Sequence, residues 1–207
     1  MLTPAGRAQS AVLCDISGVL LNWEPRRVVG PVLGTETDSF LVEVREEGWH
    51  RRHDLGKPLP AGAADRAARR PERAAAARAW CDGFLDMYDG PEPGAVELFD
   101  AARSRTRVFL LSNAPPGIWP ALLARFPLLG RADGAILSGD IGAAKPDPRA
   151  WAAARYRFGL DGPTLVLDDR EENCAAARTA GFRALRVETD LARALPAVRR
   201  WLESPAC

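Results

Sequence analysis

An unbroken apolar run at 11–14 (Ala-Val-Leu-Cys) stops on a carboxylate, Asp15. A small-residue turn at Ser17 and Gly18 follows, then a second apolar run at 19–21. A short apolar run bounded by turn residues marks a strand covered on both faces. Residues 10–16 are therefore expected to form a strand, and 17–23 a turn and short flap ending in Trp23. After Glu24-Pro25 the pattern changes. No strand stands out from 26 to 88, where Ala, Arg and Glu abound. The spacing predicts helices over 26–33, 36–54, 61–69 and 72–88. Phe40, Leu41, Val44 and Trp49 belong to the second, and Ala77, Cys81, Phe84, Leu85 and Tyr88 to the last.

From residue 95 helices and strands alternate. Helix 95–104 leads to strand 107–112, and a turn and helix at 117–126 to strand 134–138. A loop over 139–148 precedes helix 149–158 and strand 164–168. Helix 171–180 ends at Gly181, and strand 183–187 and helix 189–202 close the chain. This alternation implies a parallel sheet with right-handed crossovers. The expected fold class is α/β: a Rossmann-like three-layer core from 1–22 and 89–207, with an inserted α-helical unit at 23–88. Its linkers are expected near 22–25 and at 89–94, Asp-Gly-Pro-Glu-Pro-Gly.

Composition narrows the function. The 207 residues suit one such domain with an insertion. With 28 basic against 27 acidic residues, no one-signed field invites nucleic acid or an anionic membrane. No apolar run approaches the roughly 20 residues of a membrane span. The first ten residues lack a signal-peptide core and read as a disordered tail. Cys14, Cys81, Cys174 and Cys207 have no paired spacing, so reduced thiols and a cytoplasmic location are expected. Only Lys57 and Lys145 are lysine in an Arg-rich chain, which draws attention to Lys145 as a compact ammonium.

In a parallel sheet, functional groups gather where strands end. Asp15, then Ser112-Asn113, then the loop with Lys145-Pro-Asp-Pro, then Asp168-Asp169 with Asn173 a helical turn on, all fall on one edge. Singly, each has a plainer reading as a cap, turn residue or loop charge. As an ordered set they suit phosphoryl transfer. Asp15 and Asp169 can hold Mg²⁺. Lys145, Ser112 and N–H groups of the small-residue turn can bind phosphoryl oxygens, and Asp15 can attack phosphorus.

These residues resemble the haloacid dehalogenase-like superfamily of hydrolases. The motifs are Asp15-Ile-Ser17-Gly18-Val-Leu, Leu-Leu-Ser112-Asn113, Lys145-Pro-Asp-Pro and Leu-Asp168-Asp169-Arg-Glu-Glu-Asn173. The resemblance implies that Asp15 is nucleophile and metal ligand, with the Ser17 carbonyl and Asp169 as further ligands. Ser112, Asn113, Lys145 and Gly18 would surround the phosphoryl group, and Asp168 and Asn173 would support the site. Residues 23–88 resemble a C1-type cap. Residues 49–56, with Trp49, His50, His53 and Asp54, resemble an element that some relatives place over the active site; an ordinary amphipathic helix end is the plainer reading.

Ser17 departs from the pattern. Most phosphatases of this superfamily carry there a second Asp that moves protons, and a Ser hydroxyl titrates far from the working range. The chain is similar to an Asp-x-Gly-x-Val branch, with Ser for Gly. Proton transfer then falls to His50, His53, Asp54, water or a good leaving group. The expected function is Mg²⁺-dependent hydrolysis of a small phosphorylated metabolite, a sugar phosphate being one candidate. A catalytically weak phospho-ligand-binding protein is the alternative. A metal-free 2-haloacid dehalogenase ranks lower because it gains nothing from Asp169, and a phosphomutase lower still. Neither substrate nor oligomeric state is read from the sequence.

Overall fold

The computed structural model describes residues 10–188 and 191–204. The expected tail through residue 9, the start of the last helix at 189–190, and Cys207 lie outside the described residues. The strands are β1 Ala11–Cys14, β2 Leu21–Trp23, β3 Tyr88–Pro91, β4 Arg107–Ser112, β5 Gly134–Leu137, β6 Thr164–Asp168 and β7 Arg183–Arg186. The helices are α1 Arg26–Leu33, α2 Thr37–Glu46, α3 Trp49–Asp54, α4 Leu59–Arg69, α5 Ala74–Asp82, α6 Ala95–Arg103, α7 Trp119–Arg125, α8 Ser138–Ile141, α9 Pro148–Phe158, α10 Glu171–Thr179 and α11 Leu191–Glu203.

Five strands form one parallel sheet in the order β5-β4-β1-β6-β7. Alternate residues of β1 serve opposite faces. Ala11 and Leu13 share a cluster with Trp151, Ala154 and Phe158 of α9 and Ala177 of α10. Val12 and Cys14 share one with Leu98, Phe99 and Ala102 of α6 and Val198 of α11. Both faces are covered, which is why β1 has no polar position. The chain runs outward from β1 to β4 and β5, then returns to β1's other side for β6 and β7. That reversal leaves the carboxyl ends of β1, β4 and β6 beside one crevice.

The region from 26 to 87 is helical, as expected, but is cut differently. The helix expected over 36–54 breaks before Trp49, because Gly48 adopts φ 60°. The helix expected over 72–88 stops at Asp82, a 3-10 turn carries Phe84–Met87, and Tyr88 opens a strand. The expected linkers are in fact paired: β2 and β3 form an antiparallel ribbon with Trp23 opposite Tyr88. The Glu24 N–H extends it by donating to the Met87 carbonyl at 2.8 Å. The short α8 lies within the expected loop 139–148.

Inside the helical segment Phe40, Trp49 and Trp80 meet edge to face, with ring centroids 5.8–6.4 Å apart. The buried Arg66 guanidinium lies over Phe40 and Trp49 and is paired with Glu43 and Glu47. This cluster is continuous with the one on the Val12 and Cys14 face of the sheet. Cys14, Cys81 and Cys174 are free and buried. No helix among the described residues is long and apolar enough to cross a membrane.

Candidate functional site

Asp15 is the first residue after β1, its N–H still bonded to the Leu167 carbonyl at 2.9 Å. One carboxylate oxygen accepts from the Ile16 N–H at 2.6 Å, and the other lies 2.7 Å from Lys145 Nζ. The Lys145 ammonium is buried and also donates to Asp168 Oδ2 at 2.6 Å. Asp168 is held in turn by the Asn173 side chain at 2.8 Å and the Arg170 N–H at 3.0 Å. Asn113 exchanges two bonds of 2.8 Å with the backbone of Lys145. Its amide is thereby committed to fixing the lysine loop. Two residues on, Asp147 caps α9 by accepting from the Arg149 N–H.

Oxygens of Asp15, Asp168 and Asp169 lie within 4.8 Å of one another. The ammonium of Lys145 is shared between Asp15 and Asp168, so three carboxylates, once all are ionised, leave a formal excess of two negative charges against it. Burial pushes the Asp15 carboxyl up to about 7; Lys145 pulls against this, and Asp168 and Asp169 add to it. Asp169 is raised for the same reasons, burial first and then Asp168. Burial alone would lower Lys145, but Asp15 and Asp168 outweigh it and hold the ammonium above its ordinary value.

Gly18 departs from its expected part as an amide donor, since its N–H donates to the Leu21 carbonyl at 2.8 Å. What the position supplies is space. Gly18 has φ +75°, and a Cβ there would stand 2.8 Å from Asp169 Oδ2. Gly18→Ala is expected to cost about 1–2 kcal/mol from the left-handed backbone alone, seen as a lower urea midpoint, and to displace Asp169.

Ser17 Oγ lies 3.1 Å from the Tyr88 hydroxyl, which burial keeps protonated. The Ser112 hydroxyl is buried at the end of β4 with no partner among the described residues. A cavity of about 260 Å³ opens over Asp15, Ser17, Gly18 and Asp169. The helical segment brings His50 and Asp54 to it, but not Trp49 or His53. Residues 49 and 53 share one stripe of α3, and 50 and 54 the adjacent one. Trp49 points into the aromatic cluster, its Nε1 donating to the Gly62 carbonyl at 3.2 Å. His53 is fully buried against Gly62, with Nδ1 2.9 Å from the Lys57 carbonyl. These two are core residues of the segment. Trp23, Phe84, Tyr88 and Arg170 also line the cavity, and sequence reasoning did not single them out as site residues. Trp23 and Tyr88 arrive there only because β2 pairs with β3.

A family model described as haloacid dehalogenase-like hydrolase matches residues 9–181. The chain belongs to the haloacid dehalogenase-like hydrolases. A phosphoserine phosphatase of Thermus thermophilus is 32% identical over 103 residues, which are 49% of this hydrolase and 41% of that enzyme. The shared stretch is thus about half of this chain and less than half of the relative. Among solved structures, a HAD family enzyme of Bacteroides thetaiotaomicron in complex with magnesium and inorganic phosphate aligns at TM-score 0.69 and 20% identity. That alignment covers 87% of this hydrolase and 95% of that chain. An L-2-haloacid dehalogenase of Xanthobacter autotrophicus aligns at TM-score 0.55 and 19% identity, covering 90% and 82%. At these identities the structures establish a shared fold.

Proposed function

We propose that this haloacid dehalogenase-like hydrolase is a Mg²⁺-dependent phosphatase that forms an aspartyl-phosphate on Asp15. Its substrate is a small phosphorylated metabolite, and its helical segment serves as a C1-type cap. The observation that carries the reading is the Asp15 carboxylate, pinned by the Ile16 N–H and Lys145 at a cavity it shares with Asp169. A formal excess of two negative charges among oxygen donors suits a hard divalent cation. Asp15, Asp169 and the Ser17 carbonyl would hold Mg²⁺, which supplies positive charge opposite the phosphoryl oxygens.

The protein's own groups account for the rest. The Asp15 carboxylate attacks phosphorus, and water later hydrolyses the acyl phosphate. Lys145 and the unpartnered Ser112 hydroxyl hold phosphoryl oxygens. Asp168, Asn173 and Asn113 keep Lys145 in place. The phosphatase named among the relatives and the magnesium and phosphate of the Bacteroides structure agree with this assignment. The test is p-nitrophenyl phosphate hydrolysis with Mg²⁺ and with EDTA, and turnover that ignores EDTA sinks it.

A pH signature accompanies the metal. In the metal-free protein Asp15 binds its proton more tightly folded than unfolded. Its stabilising effect is full below the unfolded value near 4 and is lost as pH rises through about 7. Mg²⁺ is therefore expected to raise Tm more at pH 8 than at pH 5.5, as thermal unfolding in both buffers will show.

The second reading, a weak phospho-ligand-binding protein, is favoured by Ser17, whose hydroxyl is spent on Tyr88. It predicts beryllofluoride binding with negligible turnover on any phosphate ester. A dehalogenase would release chloride from 2-chloropropionate in EDTA, and Asp169 beside the nucleophile argues against that chemistry.

A further inference from the structure

We propose that Asp54 of α3 is the proton donor and acceptor of this site, in place of the carboxylate that position 17 lacks. The inference rests on the phosphatase reading above. Hydrolysis of an unactivated ester needs a proton at the departing oxygen and a base for the water that follows. Ser17 cannot supply either near neutral pH, and its hydroxyl is paired with Tyr88.

Apart from Asp15 and Asp169, the titratable groups lining the cavity are His50, Asp54, Tyr88 and Arg170. Arg170 cannot give up a proton, and burial holds Tyr88 in its hydroxyl form. His50 is clamped between the rings of Trp23 and Phe84, with centroids 5.5 and 5.9 Å away and interplanar angles of 27° and 23°. Its Nε2 lies 3.5 Å from Asp54 Oδ1. Held between those rings beside the carboxyl, His50 is assigned a positioning part, which the His50→Gln variant tests.

Asp54 itself has a buried Oδ1 with no hydrogen-bond donor, on a side chain that borders the cavity. Its helix is tied to the nucleophile's partner: Arg51 donates to the Lys145 carbonyl at 3.4 Å. The charged and titratable groups around Asp54 are His50 and Arg51 on its own helix and Arg170, Lys145 and Tyr88 from the core. Burial outweighs the cations among them and leaves the carboxyl a better proton holder than an exposed Asp.

The two half-reactions balance. As an Asp15 oxygen bonds to phosphorus, the phosphorus–ester oxygen bond breaks. The departing oxygen takes the Asp54 proton and leaves as alcohol. In the second half, water oxygen bonds to phosphorus and gives a proton to the Asp54 carboxylate. The phosphorus–Asp15 bond breaks, and inorganic phosphate leaves with both carboxyl groups restored.

The experiment compares butyl phosphate, whose leaving group is strongly basic, with p-nitrophenyl phosphate, whose leaving group departs without a proton. Asp54→Asn is expected to lower kcat/KM for butyl phosphate by about 10²–10⁴-fold, with a much smaller loss for p-nitrophenyl phosphate. It should also produce a stoichiometric burst of p-nitrophenol, because hydrolysis of the acyl phosphate has lost its base. His50→Gln should show the same substrate-selective loss in smaller measure, and serves if Asp54→Asn does not fold. Equal losses on both substrates, or unchanged butyl phosphate turnover, overturn the assignment. A wild-type protein inert toward both esters fails the phosphatase reading itself, and Asp54 falls with it.

Discussion

Asp15→Asn is expected to remove phosphatase turnover, by roughly 10⁴–10⁶-fold in kcat, the scale at which deleted members of a covalent-catalysis set are felt elsewhere. An amide oxygen is a poor nucleophile toward phosphorus, and the substitution also deletes a carboxylate from the cluster with Asp168 and Asp169. The fold should not suffer. Asp15 is charged at pH 8 against the cost of burial, which Lys145, shared with Asp168, only partly offsets. Asn is nearly isosteric and carries no charge, and Lys145 keeps its bond to Asp168. The variant's Tm in EDTA at pH 8 is therefore expected to equal or exceed the wild type's. Lost activity together with a lower Tm would trace the defect to folding; activity within a few-fold of wild type would remove Asp15 as nucleophile.

Lys145→Met should have the largest effect on stability, about 3–5 kcal/mol at pH 8, the cost of breaking a buried ion pair from one side. The methionine fills the lysine's space but strands the Asp15 and Asp168 carboxylates in the interior. Acid should close the gap. Without the ammonium, the folded state holds protons on those carboxylates more tightly than the unfolded chain. The variant thus regains stability as pH falls from 8 toward 5. The wild-type lysine titrates above its ordinary value, so its contribution stays whole across that range. Urea denaturation at the two pH values measures this, and a gap that does not shrink in acid would mean that lost packing, rather than stranded charge, is the cause.

What could be read from the chain follows from how local each signal is. Residues 107–112 and 164–168 are apolar runs closed by a polar residue, and the structure makes them β4 and β6 with those same bounds. A parallel sheet then places Asp15, Ser112 and Asp168 at one edge with no further information. The β2–β3 ribbon was not legible, because its strands are three and four residues long and find each other across the whole helical segment. Nor could the sequence choose between stripes of α3. Trp49 with His53 and His50 with Asp54 are both spaced four apart, and only the packing of His53 against Gly62 decides which pair enters the segment's core and which faces the cavity. Gly48 could have marked the helix break, but a glycine inside an amphipathic pattern is a weak stop.

The paired Trp23 and Tyr88 have a consequence for how such a protein can diversify. The chain leaves the sheet and comes back at two residues that face each other across the ribbon. The pairing of β1 with β4 and β6 does not run through the helices between Trp23 and Tyr88, so their length and shape can change without altering that register. Variation in that excursion would change His50, Asp54 and Phe84, and with them the wall of the cavity over Asp15. Asp15, Ser112, Lys145 and Asp169 stay where the sheet holds them. The groups held at the sheet edge and the acid–base proposed at Asp54 thus sit on separately heritable parts of one chain, so a change in the excursion would reach the proton carrier as well as the cavity wall.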